Sequence, residues 1–156
     1  MNPVPAAPTG VNKNLITAAT VLGALALIVV GVYFFSSGSV RGPEKTDFGT
    51  SMPTDFPADV PLESGAQVEQ SYSLDYSGQK QLTYVFMSRK TVEENYTLYT
   101  DFLNEQSWDL VNSYESPALS SLYGRKEGSD INVTISEIAS SPGLRSQVSI
   151  SILKKL

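Results

Sequence analysis

Ala66, Val68, Tyr72, Leu74 and Tyr76 alternate with Gln67, Glu69, Ser71, Ser73 and Asp75, a period of two that predicts a strand with one apolar face. Ser77-Gly78-Gln79-Lys80 reads as a turn, and Gln81–Ser88 returns as a second strand. Both faces of that strand are apolar, with Leu82, Tyr84 and Phe86 against Val85 and Met87, which predicts an interior place in a sheet. The rhythm then changes. Val92, Tyr96, Tyr99, Phe102, Leu103 and Gln106 fall at helical spacing, and Thr91 with Glu94 forms a capping box at the start. The helix is expected to end near Ser107. Trp108–Tyr114, Leu119–Arg125, Ile131–Ile138 and Gln147–Leu153 follow as four strands, the last with Val148, Ile150 and Ile152 inward. The turns between the last three fall at Lys126–Asp130 and Ala139–Leu144. The expected order is β-β-α-β-β-β-β, a small antiparallel sheet covered on one face by a single amphipathic helix, an α+β class.

Upstream the pattern is of another kind. Leu15–Phe35 holds no charged residue and nothing more polar than threonine. At ~1.5 Å per residue this run spans about 31 Å, the depth of a bilayer core. Tyr33, Phe34 and Phe35 close it with aromatic rings suited to the headgroup boundary. The run is longer than the apolar region of a cleaved signal peptide, ~7–15 residues. It predicts a transmembrane helix over 15–35 that touches the lipid bilayer. Residues 1–14 read as a disordered tail rich in proline, alanine and asparagine. Residues 36–64 read as a flexible linker, first small and polar, then carrying Pro53, Pro57 and Pro61 at a spacing of four, which favours extended chain. As a loose coil this linker would reach about 30 Å. The soluble domain is expected over 65–156.

The positive-inside rule is nearly balanced, with the α-amino group and Lys13 on one side and Arg41 and Lys45, offset by Glu44 and Asp47, on the other. A short tail inside and the larger C-terminal domain exported is the expected orientation. Ala19 and Gly23, with Gly31 two turns on, are small residues at a spacing that permits weak homodimerisation through this helix.

Composition narrows the chemistry. The chain of 156 residues carries a formal charge of −5, which argues against nucleic acid as a partner. It has no cysteine and no histidine. That removes disulfides, thiolate chemistry and the commonest general base and transition-metal ligand. A small exported domain without disulfides fits a prokaryotic cell envelope better than a eukaryotic surface.

Asp55, Asp59 and Glu63 are carboxylates spaced by four, but the run lacks a glycine-centred calcium loop and reads as a solubilising linker. Asn95-Tyr96-Thr97 and Asn132-Val133-Thr134 match the glycosylation triplet, one on the helix and one in a strand. Lys80, Lys90 and Lys126 stand among many serines, yet no nucleophile-elbow or Ser-x-x-Lys pattern accompanies them. The aromatic side chains read mainly as core, with Tyr114 and Tyr123 the two expected to be partly exposed.

The layout of an apolar N-terminal helix and a small α+β head resembles that of type IV pilins, and Gly10-Val11 looks like their processing site. However, Leu15 stands at the fifth position after Gly10, where that family carries glutamate, and no basic cluster precedes Gly10. No family assignment follows. The leading expectation is a single-pass envelope protein whose C-terminal domain is a non-catalytic module for binding an envelope protein or cell-wall partner. A pilin-like filament subunit is the second and a membrane-tethered hydrolase the third. No catalytic, cofactor-binding or metal residue is assigned, no cofactor is expected, and the binding residues are left open.

Overall fold

The structure, a computed structural model, describes residues 42–139 and 142–156. The tail over 1–14 and the apolar run over 15–35 lie outside these residues. The folded unit runs from Gly42 to Leu156.

Seven strands form one antiparallel sheet: β1 (Glu44–Asp47), β2 (Gln67–Tyr76), β3 (Gln79–Ser88), β4 (Asp109–Tyr114), β5 (Leu119–Lys126), β6 (Ser129–Glu137) and β7 (Ser146–Lys155). Their order across the sheet is β1-β2-β3-β7-β6-β5-β4. The expected meander of the last four strands is present, and β7 closes it by pairing with β3. β3 is interior, and Gln81 through Phe86 are all buried, as its two apolar faces required. The hairpin turns are tighter than expected. Gly78 and Gly128 take φ values of 83° and 71°, so strand pairing runs to Tyr76/Gln79 and to Lys126/Ser129.

The single helix α1 (Val92–Glu105) begins as expected: the Thr91 hydroxyl accepts from the Glu94 N–H at 3.1 Å, and the Thr91 N–H donates to the Glu94 carboxylate at 2.7 Å. It ends in a Schellman motif. The Trp108 N–H reaches the Leu103 carbonyl at 2.9 Å, and the Ser107 N–H reaches that of Asn104 at 3.1 Å. Ser107 sits at φ 58°, the left-handed position glycine usually fills. The Lys126 ammonium donates to the Gln106 carbonyl at 2.8 Å and supplies the positive charge that the last turn lacks. Gly124 lets the helix close on the sheet, because a Cβ there would stand 3.1 Å from Ile131 and 3.5 Å from Leu103.

Two pieces cover the core face, where one was expected. Helix α1 lies over β4, β5 and β6. The β2–β3 side is covered by the chain from Ser51 to Ala66, here called the strap. Phe56 and Val60 are buried, and Leu62 and Ala66 pack beside them. The Phe56 ring lies 5.9 Å from that of Tyr84, and the Tyr99 hydroxyl donates to the Pro61 carbonyl at 2.8 Å. Ser71 and Lys154 on the sheet donate to the carbonyls of Ser51 and Asp55. The reading of 36–64 as flexible linker therefore needs correction over 42–64. Glu44–Asp47 pairs with β2 as an edge strand, and the proline-rich stretch is folded onto the core. The prolines do not extend the chain. The Pro53 carbonyl accepts from Phe56 N–H and that of Pro57 from Val60 N–H, so the spacing of four makes successive turns. Each turn returns an apolar side chain to the sheet.

One face assignment also changes. A bulge between Val68 and Gln70 shifts the register of β2. Val68 stays opposite Phe86 on the core face, but Tyr72 pairs with Thr83 and Leu74 with Gln81. Tyr72, Leu74 and Tyr76 thus point to the face away from the helix, while Ser71 and Ser73 turn toward the core.

Candidate functional site

The best-built polar cluster joins four elements where the strap meets the start of α1. β3 ends with Ser88, β7 begins with Ser146, the first turns of α1 supply Asn95, and the strap supplies Glu63. Ser88, Asn95 and Ser146 are each at most 2% exposed. The Asn95 amide nitrogen donates to the Ser88 hydroxyl at 3.0 Å and to the Ser146 hydroxyl at 2.9 Å. The Ser146 hydroxyl donates in turn to the Lys90 carbonyl at 2.7 Å. Ser88 donates to the Glu63 carboxylate at 2.6 Å and accepts the Lys90 N–H at 3.1 Å. Arg89 completes the clamp, with its Nε 2.6 Å from Glu63 and its terminal nitrogen 3.0 Å from the Ser64 carbonyl.

Burial alone would raise the Glu63 carboxyl, whose side chain is 13% exposed. The hydrogen bonds from Ser88 and Arg89, with the Arg89 charge, outweigh it and hold the group below its ordinary value. The Tyr99 phenol is pushed far up, first by burial and then by the neighbouring Glu63 charge, so it stays neutral and donates to the strap.

Beside this cluster opens a cavity of about 320 Å³, lined by residues that include Leu62, Phe86, Lys90, Asn95, Leu98 and Tyr99. Glu63 and Ser64 line it too, so its walls mix apolar side chains with charged and polar ones. Both amide protons of Asn95 are spent on serines. A second cavity of about 340 Å³ lies at the other side of the helix start, between Thr91, Val92, Pro117, Ile138 and Arg145.

The carboxylates weighed in the sequence do not converge. Asp55 pairs with Lys80 at 3.4 Å, whereas Glu63 faces Ser88 and Arg89. Among the described residues no group of three or more His, Cys, Asp or Glu side chains is placed to hold a metal ion. Among them, too, no lysine ammonium hydrogen-bonds a serine hydroxyl; Lys126 bonds a carbonyl and Lys80 a carboxylate. Asn95, the first residue of a triplet matching the glycosylation pattern, is buried and bonded to Ser88 and Ser146. Tyr114 is 56% exposed on edge strand β4, and Tyr123 is half-buried and accepts from Arg125, in line with their expected exposure.

Sequence reasoning passed over Ser88, Asn95 and Ser146. A signal existed: Asn95 lies three residues after Val92 and four before Tyr99, inside the apolar stripe, where a polar residue needs buried partners. Comparison with known proteins adds no assignment, since no family model, curated protein or solved structure matches the chain.

Proposed function

We propose that the chain is a single-pass membrane protein whose unit from Gly42 to Leu156 is a non-catalytic binding module outside the cytoplasmic membrane of a prokaryotic cell. The observation that carries this reading is the uncharged run Leu15–Phe35, long enough for a bilayer, placed directly before a unit that forms its own core. Among the described residues no helix is long and apolar enough to cross a membrane, so the anchor on this reading is 15–35 alone. The tether then shortens from the 36–64 first expected to 36–43, because β1 starts at Glu44. Eight residues extend at most about 28 Å, so the module works close to the lipid.

The cavity between the strap and α1 supports the binding half of the proposal, since it sets apolar walls beside a polar cluster built from four elements. The test exploits the absence of native cysteine. Glu127 is exposed in the β5–β6 turn. Glu127→Cys in the full chain should react with a membrane-impermeant maleimide on intact cells. Reaction only after lysis would place the module in the cytoplasm and defeat the reading.

A further inference from the structure

We propose that the outer edge of strand β4 takes an added strand from a basic partner, an extended peptide segment with lysine or arginine at alternate positions. The proposal rests on the reading of the unit as a binding module and names a surface and a partner class for it. The sheet has two edges, β1 and β4, and they are built differently. In β1, Glu44, Lys45 and Asp47 are charged and Pro43 stands just before the strand. Charges and proline are the usual guards against edge pairing. In β4 the only charge is Asp109 at its first residue, and it holds no proline. Among the described residues, no hydrogen bond joins the backbone of Asp109–Tyr114 to anything beyond β5. A bulge leaves Val111 without a partner on β5 and 48% exposed, and Tyr114 is 56% exposed. The free N–H and C=O groups of such an edge fit the backbone of one more strand.

Charge selects the partner. Residues 91–118, which hold α1, β4 and their flanks, carry six acidic side chains and no basic one, a formal charge of −6 against −5 for the whole chain. Glu93, Glu94, Asp101, Glu105, Asp109 and Glu115 are all exposed, and none forms a salt bridge among the described residues. Arg125, opposite Asp109 across the strand pair, is held by Asp130. Successive side chains of an added strand point to opposite faces. One set meets the helix side with its carboxylates, and the other meets the open face, where Tyr114 pairs with Ser121. A second copy of this chain would bring the same six carboxylates to the edge, so like charges oppose that pairing.

The test uses the full chain in nanodiscs of uncharged phosphatidylcholine, so that lipid does not compete for a basic probe. It follows the amide NMR signals of β4 against those of β7. The probes are the capped hexapeptide Lys-Val-Lys-Val-Lys-Val, its fully N-methylated form, which keeps the charge but has no backbone donor, and Glu-Val-Glu-Val-Glu-Val. Saturable shifts and slowed exchange at Asn112, Ser113 and Tyr114 are expected with the first probe alone. Asp109→Asn combined with Glu115→Gln should weaken that binding roughly fivefold, the scale of two exposed ion pairs. Both positions are exposed, and unchanged β7 signals check that the fold is kept. Absence of shifts at about 1 mM, the range of weak binding, would overturn the proposal. Equal shifts with the N-methylated or the acidic peptide would overturn it too, by removing strand pairing or charge from the account. So would β4 signals that move with protein concentration when no peptide is present, since the edge would then belong to a second copy. The titration reads the same on either side of a membrane. Its failure is thereby separable from failure of the labelling at Glu127→Cys.

Discussion

Asn95 and Glu63 show how single side chains tie the molecule together. Asn95 breaks the apolar stripe of α1, yet its two donated bonds hold the ends of β3 and β7 under the helix start. Glu63 holds the strap to the same point through Ser88 and Arg89. Its carboxyl lies below the ordinary range in the folded protein. The linkage follows: this clamp contributes fully above the unfolded value of ~4.3 and is lost as pH falls through the lower folded value. Glu63→Gln should therefore reduce the melting temperature at neutral pH, with the gap from the native chain closing on acidification below about pH 4. A gap that stays constant across that range would show that the Glu63 charge contributes nothing to the fold. Packing is tested by a separate set. Phe102 is buried in one core cluster with Val133, Ile135, Val148 and Ile150, all fully buried, and Phe56 is the strap's own buried ring. Phe102→Ala and Phe56→Ala should each cost ~3–5 kcal/mol in chemical unfolding, and Glu93→Ala on the exposed side of α1 about 0.5 or less. A negligible effect of Phe56→Ala would remove the strap from the core.

At the scale of elements, the strands with clean alternation and the capped helix were legible because burial itself wrote the pattern. Val133, Ile135, Val148 and Ile150 had to alternate, since their strands have one covered face. Three features left weaker traces. Strand β1, Glu44-Lys45-Thr46-Asp47, is exposed at every position and joins the sheet through backbone pairing, so no hydropathy pattern marks it. The β2 bulge reverses the faces of Tyr72, Leu74 and Tyr76, a one-residue event that alternation counts cannot register. The strap hid behind its prolines, although Phe56 and Val60, four apart, were an apolar signature of its buried side. The consequence is testable by truncation. A chain beginning at Gly42 should unfold in one cooperative transition. One beginning at Gly65 loses Phe56, Val60 and the Glu63 clamp, which uncovers Tyr84 and Phe86. Total stability of a small domain is only ~5–15 kcal/mol, so the shorter chain should lack a cooperative transition in circular dichroism. A cooperative transition at the same temperature would make the strap an accessory and restore the domain start near residue 65.

For the whole molecule, the proposal joins a membrane anchor at 15–35 to a folded unit whose first strand begins at Glu44, outside the cytoplasm and after an eight-residue tether. The proposed anchor rests on charge-free length in the sequence alone, whereas the start of the folded unit depended on contacts between residues far apart in the chain, such as Lys154 with Asp55. The candidate cavity had the same fate: its Asn95 and Lys90 stand on α1 and just before it, but Leu62 comes from the strap, and only folding brings them together. The most direct measurement applies a broad-specificity protease to intact spheroplasts and weighs the released fragment. The account predicts a soluble fragment whose N-terminus falls between Ser36 and Pro43 and that carries the strap uncut. Protection of the chain until lysis, or release of a fragment beginning near residue 65, would contradict it.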